Sequence, residues 1–320
     1  MITRIYLEVT SICNYKCAYC PHPIMSRNKA HMSWELACEA LKQIQADQIG
    51  QHIYLNYLGE PLLYPKLFEL IEFADTLNLT THIITNGSLL TEGNINKIKN
   101  SALQDIKISY ETPDEETFKL RGTSHFTSPQ ILAQVLNTIA VLKDTGKTIG
   151  IVFMTTIPGQ KRGIENIEII SSMPQLQAEV EKITDLIATI TPVKQLQEIK
   201  TDLDAIDWHW WNPVIWLNQQ IYLEIRPTLN WGNTMTQQTI IPTTTGYCDA
   251  LKEKMGILVN GDVVICCIDY EGEQVIGNIQ QQPLSHILNS ELAQKIRRDF
   301  ANHIVSLKKC QYCLGAVVPN

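Results

Sequence analysis

From residue 3 to about residue 155, short runs of aliphatic and β-branched residues alternate with longer amphipathic stretches. This alternation is typical of successive βα units on a parallel sheet. It predicts strands over Ile5–Val9, Ile53–Asn56, Thr81–Thr85, Ile106–Ser109 and Gly150–Thr155. Helix-start residues between these strands, which predict the intervening helices, stand at Ser33, Pro65, Thr91, Thr112-Pro113 and Ser128-Pro129.

The pattern changes after Pro158-Gly159. Hydrophobic residues then recur at steps of three and four until about residue 206, which indicates helix, and the next strand-like run is Ile221–Ile225. The predicted fold class is therefore α/β, a partial (βα)6 TIM-like barrel whose sixth unit carries a helical insertion at about 160–218. The insertion either serves a substrate or partner or is a decorative helical hairpin, and the sequence leaves both interpretations open.

Composition narrows the function classes. The chain has 320 residues and a net charge of −7, and it contains no basic stripe of the kind that nucleic-acid binding requires. No apolar run approaches the length of a membrane span, and the N-terminus does not resemble a signal peptide. We expect a cytoplasmic protein without a nucleic-acid or membrane partner.

Three cysteines near the N-terminus carry the clearest chemistry. Cys13, Cys17 and Cys20 form a C-x3-C-x2-C run directly after the first predicted strand. A four-iron cluster is normally closed by four thiolates, so three local ones leave one iron open for a reactant. Part of a zinc knuckle or a disulfide pair are the alternatives. Zinc lacks a fourth ligand at suitable spacing, and cytosolic thiols stay reduced.

This run, with Asn14 after its first cysteine and Tyr19 before its last, resembles the signature of the radical S-adenosylmethionine superfamily. The resemblance implies that S-adenosylmethionine binds the open iron of a [4Fe-4S] cluster, and that one electron cleaves it to a 5′-deoxyadenosyl radical. It also implies an external electron donor such as flavodoxin or ferredoxin. The cofactor then carries the difficult chemistry, while the protein binds and orients.

The resemblance extends to residues at the ends of the other predicted strands, where such barrels bind ligands. It implies that Tyr19, Gly59, Glu60, Thr85, Asn86, Gly87, Ser109 and Arg121 bind the cofactor. Taken alone, Gly59-Glu60-Pro61 is a turn before a helix, Asn86-Gly87 is a hairpin signal, and Arg121 is a surface salt-bridge residue. Relatives often have a ribose-binding acid two residues after the serine. This chain has Glu111 there, in Ser109-Tyr110-Glu111, and its local pattern departs slightly from theirs.

A second group of cysteines lies near the C-terminus, and Asn260-Gly261-Asp262 predicts a hairpin turn before two of them. The group resembles the shortened SPASM or "twitch" extension, which implies one auxiliary [4Fe-4S] cluster held by Cys248, Cys266, Cys310 and Cys313. Neighbouring strand residues face opposite sides, and the spacing from the glycine favours Cys266 over Cys267. Cys267 is then either a small buried residue or a catalytic thiol. A zinc ribbon is the rival interpretation of the group.

The resemblance predicts two domains, a radical barrel over 1–235 and an auxiliary-cluster domain over 236–320. Relatives with this extension often modify ribosomally made peptides or proteins, so a peptide-modifying maturase is the leading hypothesis. Because the first strand begins almost at once, a separate small leader-peptide recognition protein is expected. The alternative is a small-molecule oxidoreductase that uses the auxiliary cluster as electron acceptor. Trp208-His209-Trp210-Trp211 and Trp216 are either packing residues or a binding patch.

Overall fold

The structure is a computed structural model that describes residues 2–157, 164–206 and 212–318. The predictions made for Pro158-Gly159 and for Trp208-His209-Trp210-Trp211 lie outside the described residues. The chain forms two compact units. The first unit contains the chain up to Cys13, the segment Cys20–His82 and everything from Asn230 onward. The second contains Asn14–Tyr19 and Ile83–Leu229.

The described strands are β1 (Arg4–Leu7), β2 (His52–Tyr54), β3 (Thr80–Thr85), β4 (Asp105–Ile108), β5 (Thr148–Thr155), β6 (Val214–Trp216), β7 (Ile221–Pro227), β8 (Thr239–Ile241), β9 (Lys254–Ile257), β10 (Asp262–Val264), β11 (Val275–Asn278) and β12 (Ala316–Val318). The described α-helices are α1 (Trp34–Ala46), α2 (Leu67–Thr76), α3 (Glu92–Asn100), α4 (Glu115–Phe118), α5 (Ser128–Leu142), α6 (Met173–Ala188), α7 (Leu196–Asp204), α8 (Leu284–Leu288), α9 (Glu291–Ala301) and α10 (Lys308–Cys313).

In the first unit, β1 pairs in parallel with β2, and β2 with β3. The other side of β1 pairs in parallel with β9, which continues through the antiparallel strands β10 and β11. The hairpin of the C-terminal extension thus joins the same sheet as the first strand of the chain. Ile5, Leu7 and Ile53 are fully buried in this sheet. Their burial gives the first unit an apolar core between sheet and helices.

The second unit contains the parallel strands β4, β5 and β7, with β6 antiparallel at the edge of β7. The predicted helical insertion forms α6 and α7 before β6. Helix α6 begins after Ser172, whose side chain accepts a hydrogen bond from the Gln175 backbone N–H, and Pro174 stands in its first turn. Strand β6 was not predicted, because its three residues are too few to show an alternating pattern.

The α/β fold class with a parallel sheet and a C-terminal extension is confirmed. Three helix starts differ from the prediction. Helix α2 begins after Lys66, so Pro65 precedes the helix instead of opening it. Asp114 caps α4 in place of Thr112, and Thr127 caps α5 through a capping box with Gln130, one residue before Ser128. At α4 the Asp114 side chain accepts from the Glu116 and Thr117 backbone N–H groups, and at α5 the Gln130 side chain accepts from the Thr127 backbone N–H.

Within the described part of the chain, no helix is both long enough and apolar enough to cross a membrane.

Candidate functional site

The loop after β1 carries Cys13, and the segment after β2 lies directly against it in the first unit. The Glu60 backbone N–H donates to the Ile12 carbonyl oxygen at 2.9 Å. A Cβ atom on Gly59 would lie 2.2 Å from the Thr10 carbonyl oxygen. Only glycine allows this close backbone approach. The Gly59-Glu60 segment therefore fixes the chain just before Cys13, as a cofactor-binding turn at a strand end would.

Glu60 itself is buried, with 2% of its surface exposed. Its side chain accepts a hydrogen bond from the Leu62 backbone N–H at 3.1 Å and caps a short 3-10 helix over Pro61–Leu63. The carboxylate thus has a structural task in addition to its predicted role toward the cofactor.

A buried ion pair holds the start of the same loop. Glu8 is fully buried and receives two hydrogen bonds from Arg27, at 2.8 and 3.0 Å. The Val259 backbone N–H also donates to Glu8, and the Arg27 Nε donates to the Tyr270 carbonyl oxygen at 2.6 Å. Burial alone would lower the pKa of Arg27, but its hydrogen bonds to the Glu8 carboxylate raise it. A bidentate pair of this kind is strong, and it connects the loop to the turn between β9 and β10.

The second unit contains the middle of the cysteine loop and the ends of β3 and β4. Three side chains form a closed ring of hydrogen bonds: Asn86 donates to Asn14 at 2.8 Å, Asn14 to Ser88 at 2.8 Å, and Ser88 to Asn86 at 2.6 Å. Thr85 and Gly87 flank Asn86, and Gly87 has a φ of +84°. This positive φ suits glycine. The predicted Thr-Asn-Gly segment therefore contacts the residue after Cys13.

Arg121 connects three parts of the second unit. Its backbone carbonyl accepts from the Lys16 N–H at 3.2 Å. Its guanidinium donates to the Ser109 carbonyl oxygen and, at 3.1 Å, to the Asn86 carbonyl oxygen, and it lies 5.0 Å from the centre of the Tyr15 ring. Only 1% of its surface is exposed, so it is not a surface salt-bridge residue. Burial would lower the pKa of Arg121, but Tyr19 and Cys17 raise it above the usual value.

One donor of this arginine remains available. The Arg121 Nε is buried and has no hydrogen-bond partner among the described residues. A buried N–H without a partner is costly, and a carboxylate is the group that a guanidinium pairs with best.

The four predicted auxiliary ligands all lie in the first unit. Burial and the neighbouring thiols of Cys248 and Cys313 raise the pKa of Cys310 to about 12. Burial and Cys313 also raise the pKa of Cys248. Cys310 and Cys313 lie on α10, three residues apart, where side chains share a helix face. This mutual influence places Cys248, Cys310 and Cys313 near one another, while the described residues contain no group of three or more His, Cys, Asp or Glu side chains arranged to hold a metal ion.

Lys254, at the start of β9, is the counter-charge of this group. Burial would lower its pKa, but the thiols of Cys266, Cys267 and Cys248 raise it. A cation beside cysteines favours the thiolate, which is the form that binds metal. The position of Lys254 beside these cysteines could not be predicted from the sequence, because it depends on the pairing of β9 with β1.

Cys266 and Cys267 differ from the expectation that both stand on a strand. Strand β10 ends at Val264, so the two cysteines lie in the turn that follows and the alternation rule does not apply to them. A hydrogen bond joins the two thiols, which raises the pKa of Cys266 and lowers that of Cys267 to about 6. Their neighbours differ. Cys266 lies near Cys248, whereas Cys267 lies near Tyr6 and Arg4.

A tight turn before β8 contacts the last cysteine. Trp231, Gly232 and Asn233 all have φ between +51° and +69°. A Cβ atom on Gly232 would lie 3.1 Å from the Cys313 Sγ atom, and the Asn233 side chain donates to the Tyr312 carbonyl oxygen at 2.7 Å. Glycine adopts this conformation freely, but Trp231 rarely does, and such strain is often found at functional sites. The turn therefore holds the end of α10 in place.

Comparison with known families accounts for both cysteine groups. The family model described as "Radical SAM superfamily" matches residues 7–170, which is just over half of the chain. The chain belongs to the radical SAM superfamily. The SPASM model, described as "Iron-sulfur cluster-binding domain", matches residues 248–314. The chain is therefore a radical SAM enzyme with a SPASM extension, and its cofactors are a [4Fe-4S] cluster, an auxiliary cluster and S-adenosylmethionine.

Among curated proteins, the chain is similar to a PqqA peptide cyclase of Gluconobacter oxydans (strain 621H), with 31% identity over 112 residues. The match spans 34% of this chain and 30% of the relative.

Solved structures share the fold at low sequence identity. BtrN in complex with AdoMet and 2-DOIA matches with a TM-score of 0.55 and 16% identity, covering 99% of both chains. Streptococcus suis SuiB bound to the precursor peptide SuiA matches with a TM-score of 0.58 and 16% identity, covering 93% of this chain and 67% of SuiB. The protein anSMEcpe with bound AdoMet and Cp18Cys peptide matches with a TM-score of 0.55 and 15% identity, covering 94% of this chain and 84% of that one.

The residues present fit these cofactors. Cys13, Cys17 and Cys20 are each partly exposed. In the second unit, the available Nε of Arg121 suits a carboxylate such as that of the methionyl group. At the other site, Cys248, Cys266, Cys310 and Cys313 lie in one unit and supply four thiols, the number that closes a four-iron cluster.

A charged group on β4 and β7 of the second unit was also missed. Glu224 is buried and pairs with Lys107 at 2.7 Å and with Arg226 at 2.6 Å. Burial would raise the pKa of Glu224, but the two cations lower it to about 2. Charged residues inside two otherwise apolar strands were visible in the sequence. Which of them pair could not be predicted, because that depends on the order of the strands in the sheet.

Proposed function

We propose that this enzyme abstracts a hydrogen atom from a ribosomally made peptide or protein and thereby modifies it. The observation that carries the proposal is the similarity to the PqqA peptide cyclase, 31% identical over 112 residues. The likeness in fold to SuiB bound to its precursor peptide and to anSMEcpe bound to a peptide supports it.

We assign each proposed site residue a role toward the cluster or toward S-adenosylmethionine. Cys13, Cys17 and Cys20 hold the cluster that, when reduced, supplies the electron for generating a 5′-deoxyadenosyl radical. Gly59 and Glu60 bind the amino end of S-adenosylmethionine, and Arg121 binds its carboxylate through the Nε that has no partner. Tyr19, Thr85, Asn86, Gly87 and Ser109 are the further proposed cofactor-binding residues. The closed hydrogen-bond ring of Asn14, Asn86 and Ser88 keeps this part of the loop in one conformation.

Cys248, Cys266, Cys310 and Cys313 hold the auxiliary cluster in this proposal. The proximity of Cys266 to Cys248, together with the position of Cys267 beside Tyr6 and Arg4, supports Cys266 as the ligand. Cys267 is then a free thiol beside the auxiliary cluster, suited to give or take a hydrogen atom. The barrel domain over 1–235 and the auxiliary domain over 236–320 remain our proposed division. A separate leader-peptide recognition protein and a flavodoxin or ferredoxin complete the proposed system.

The test uses the full chain, reconstituted anaerobically with iron and sulfide, and candidate precursor peptides that carry deuterium at single side chains. We expect 5′-deoxyadenosine that contains deuterium and a peptide of altered mass. Unlabelled 5′-deoxyadenosine with every peptide, with and without small proteins encoded beside this one, would contradict the proposal.

The second candidate is a small-molecule oxidoreductase, and one observation favours it: BtrN, whose structure contains AdoMet and 2-DOIA, covers 99% of this chain and is itself covered to 99%. In that case an alcohol or amine would lose a hydrogen atom to the radical, a proton to a base and an electron to the auxiliary cluster, leaving a carbonyl or imine. Deuterium transfer from labelled 2-DOIA or related amino alcohols, with none from peptides, would favour this reaction over the peptide one.

A further inference from the structure

Tyr57 stands between β2 and the Gly59-Glu60 turn. Its ring belongs to a buried apolar cluster with Met25, Leu58, Leu258, Val264 and Tyr270. Its hydroxyl lies 2.7 Å from the Cys266 carbonyl oxygen and 2.9 Å from that of Asp269. A hydroxyl has one proton, so the two carbonyls share it. Both carbonyls belong to the loop that begins at a proposed auxiliary-cluster ligand.

The strand beneath the ring is shaped to receive it. A Cβ atom on Gly256, in β9, would lie 2.9 Å from a Tyr57 ring atom. The partly buried side chains that pack against the same apolar cluster include Cys20 and Cys267. A residue of each cysteine group therefore contacts the core that contains Tyr57.

We propose that Tyr57 is a positioning residue that fixes the Cys266 loop of the auxiliary cluster relative to the Gly59-Glu60 turn, two residues further along its own chain. The inference rests on the proposed ligand set. A hydrogen bond to the backbone of a ligand residue fixes that ligand, and loss of such outer contacts typically weakens metal binding by 10- to 100-fold. Here the contact also prevents the two cofactor-binding segments from shifting independently.

The test uses the full chain in which Cys13, Cys17 and Cys20 are all replaced by Ala, so that only the auxiliary cluster remains. In this background Tyr57→Phe keeps the ring and removes the hydroxyl. We expect iron loss to a chelator to become about tenfold faster and the EPR spectrum of the reduced cluster to change. Tyr64→Phe is the matched control, because Tyr64 is 4% exposed and its buried hydroxyl has no hydrogen-bond partner among the described residues.

Gly256→Ala provides a second variant, since it displaces the ring while the hydroxyl stays on the residue. We expect the same faster iron loss. The proposal is overturned if Tyr57→Phe keeps the parent rate and spectrum, or if Tyr64→Phe changes them equally. A triple-alanine parent that holds no iron would overturn the ligand set and this inference with it. Since no peptide is present, failure of the peptide hypothesis would leave the result unchanged.

Discussion

The two cysteine groups of this enzyme are built in different ways. Cys13, Cys17 and Cys20 come from one short loop after β1. The four cysteines proposed to hold the auxiliary cluster come from a loop before β9, a turn after β10 and the helix α10. A loop of consecutive residues can present three thiols with little help, whereas the second group depends on strand pairing and helix placement. The first is therefore a local motif, and the second is a product of the fold.

The supporting contacts differ in the same way. Backbone hydrogen bonds hold the N-terminal loop, from Glu60 to Ile12 in the first unit and from Lys16 to Arg121 in the second. Side chains hold the auxiliary group: the Tyr57 hydroxyl at Cys266 and the Asn233 amide at Tyr312. The two groups also differ in the number of thiols. Three thiols leave one iron of a four-iron cluster open, where S-adenosylmethionine would bind, whereas four thiols close the cluster. Variants can separate these two designs.

The largest effect is expected from Cys17→Ala, which removes one of the three thiols of the open cluster. We expect 5′-deoxyadenosine formation to be abolished and iron content to fall by about half, because one of the two four-iron clusters is lost. Anaerobic reconstitution followed by iron, sulfide and nucleoside analysis measures both. Cys38→Ala, which alters a buried cysteine of α1, is the control and should retain both clusters. Equal iron in the Cys17 and Cys38 variants would refute the assignment.

Cys310→Ala should remove the auxiliary cluster and leave the N-terminal one intact. We expect the same loss of about half the iron, but S-adenosylmethionine cleavage should continue because its cluster is intact, while substrate modification stops. The measurement is 5′-deoxyadenosine and modified product in one reaction. Loss of cleavage together with modification would show that the two groups are not independent.

The N-terminal cysteine group was easier to predict from the sequence than the C-terminal one. The C-x3-C-x2-C run, the strands β1 to β5 and β7, and the turn at Gly261 were predictable, because each depends on neighbouring residues. The turn containing Cys266 and Cys267 was expected to be strand, since two residues of β-like sequence do not show where pairing ends. Lys254, Tyr57 and the pair Glu8–Arg27 were not predicted. Each acts on residues brought together by strand order, over sequence distances that no local pattern spans.

A smaller effect is expected at Gly59, where the backbone itself supports the N-terminal loop. Gly59→Ala places a Cβ atom 2.2 Å from the Thr10 carbonyl oxygen, and a backbone atom cannot rotate away. We expect about 2 kcal/mol of destabilisation from overpacking and weaker binding of S-adenosylmethionine. Thermal unfolding and equilibrium binding measure the two. Gly93→Ala is the control, since nothing lies within 4 Å of its Cβ position. Equal stability of both variants would contradict the role of this contact.

The smallest effect on the clusters is expected from Cys267→Ala. Iron and sulfide content should equal those of the unaltered enzyme, because Cys266 is the proposed ligand and Cys267 contacts Tyr6 instead. Cys266→Ala is the matched variant and should lose the auxiliary cluster. If the two variants exchange these outcomes, the ligand is Cys267, and its proposed catalytic role is wrong.

The central claim is that one chain holds one open and one closed cluster. EPR spectra of the reduced protein, recorded before and after addition of S-adenosylmethionine, test it most directly. We predict that the spectrum of Cys310→Ala changes on addition, and that the spectrum of the variant with Cys13, Cys17 and Cys20 replaced by Ala does not. A response to S-adenosylmethionine in that triple variant would place the open iron in the C-terminal group and contradict the account.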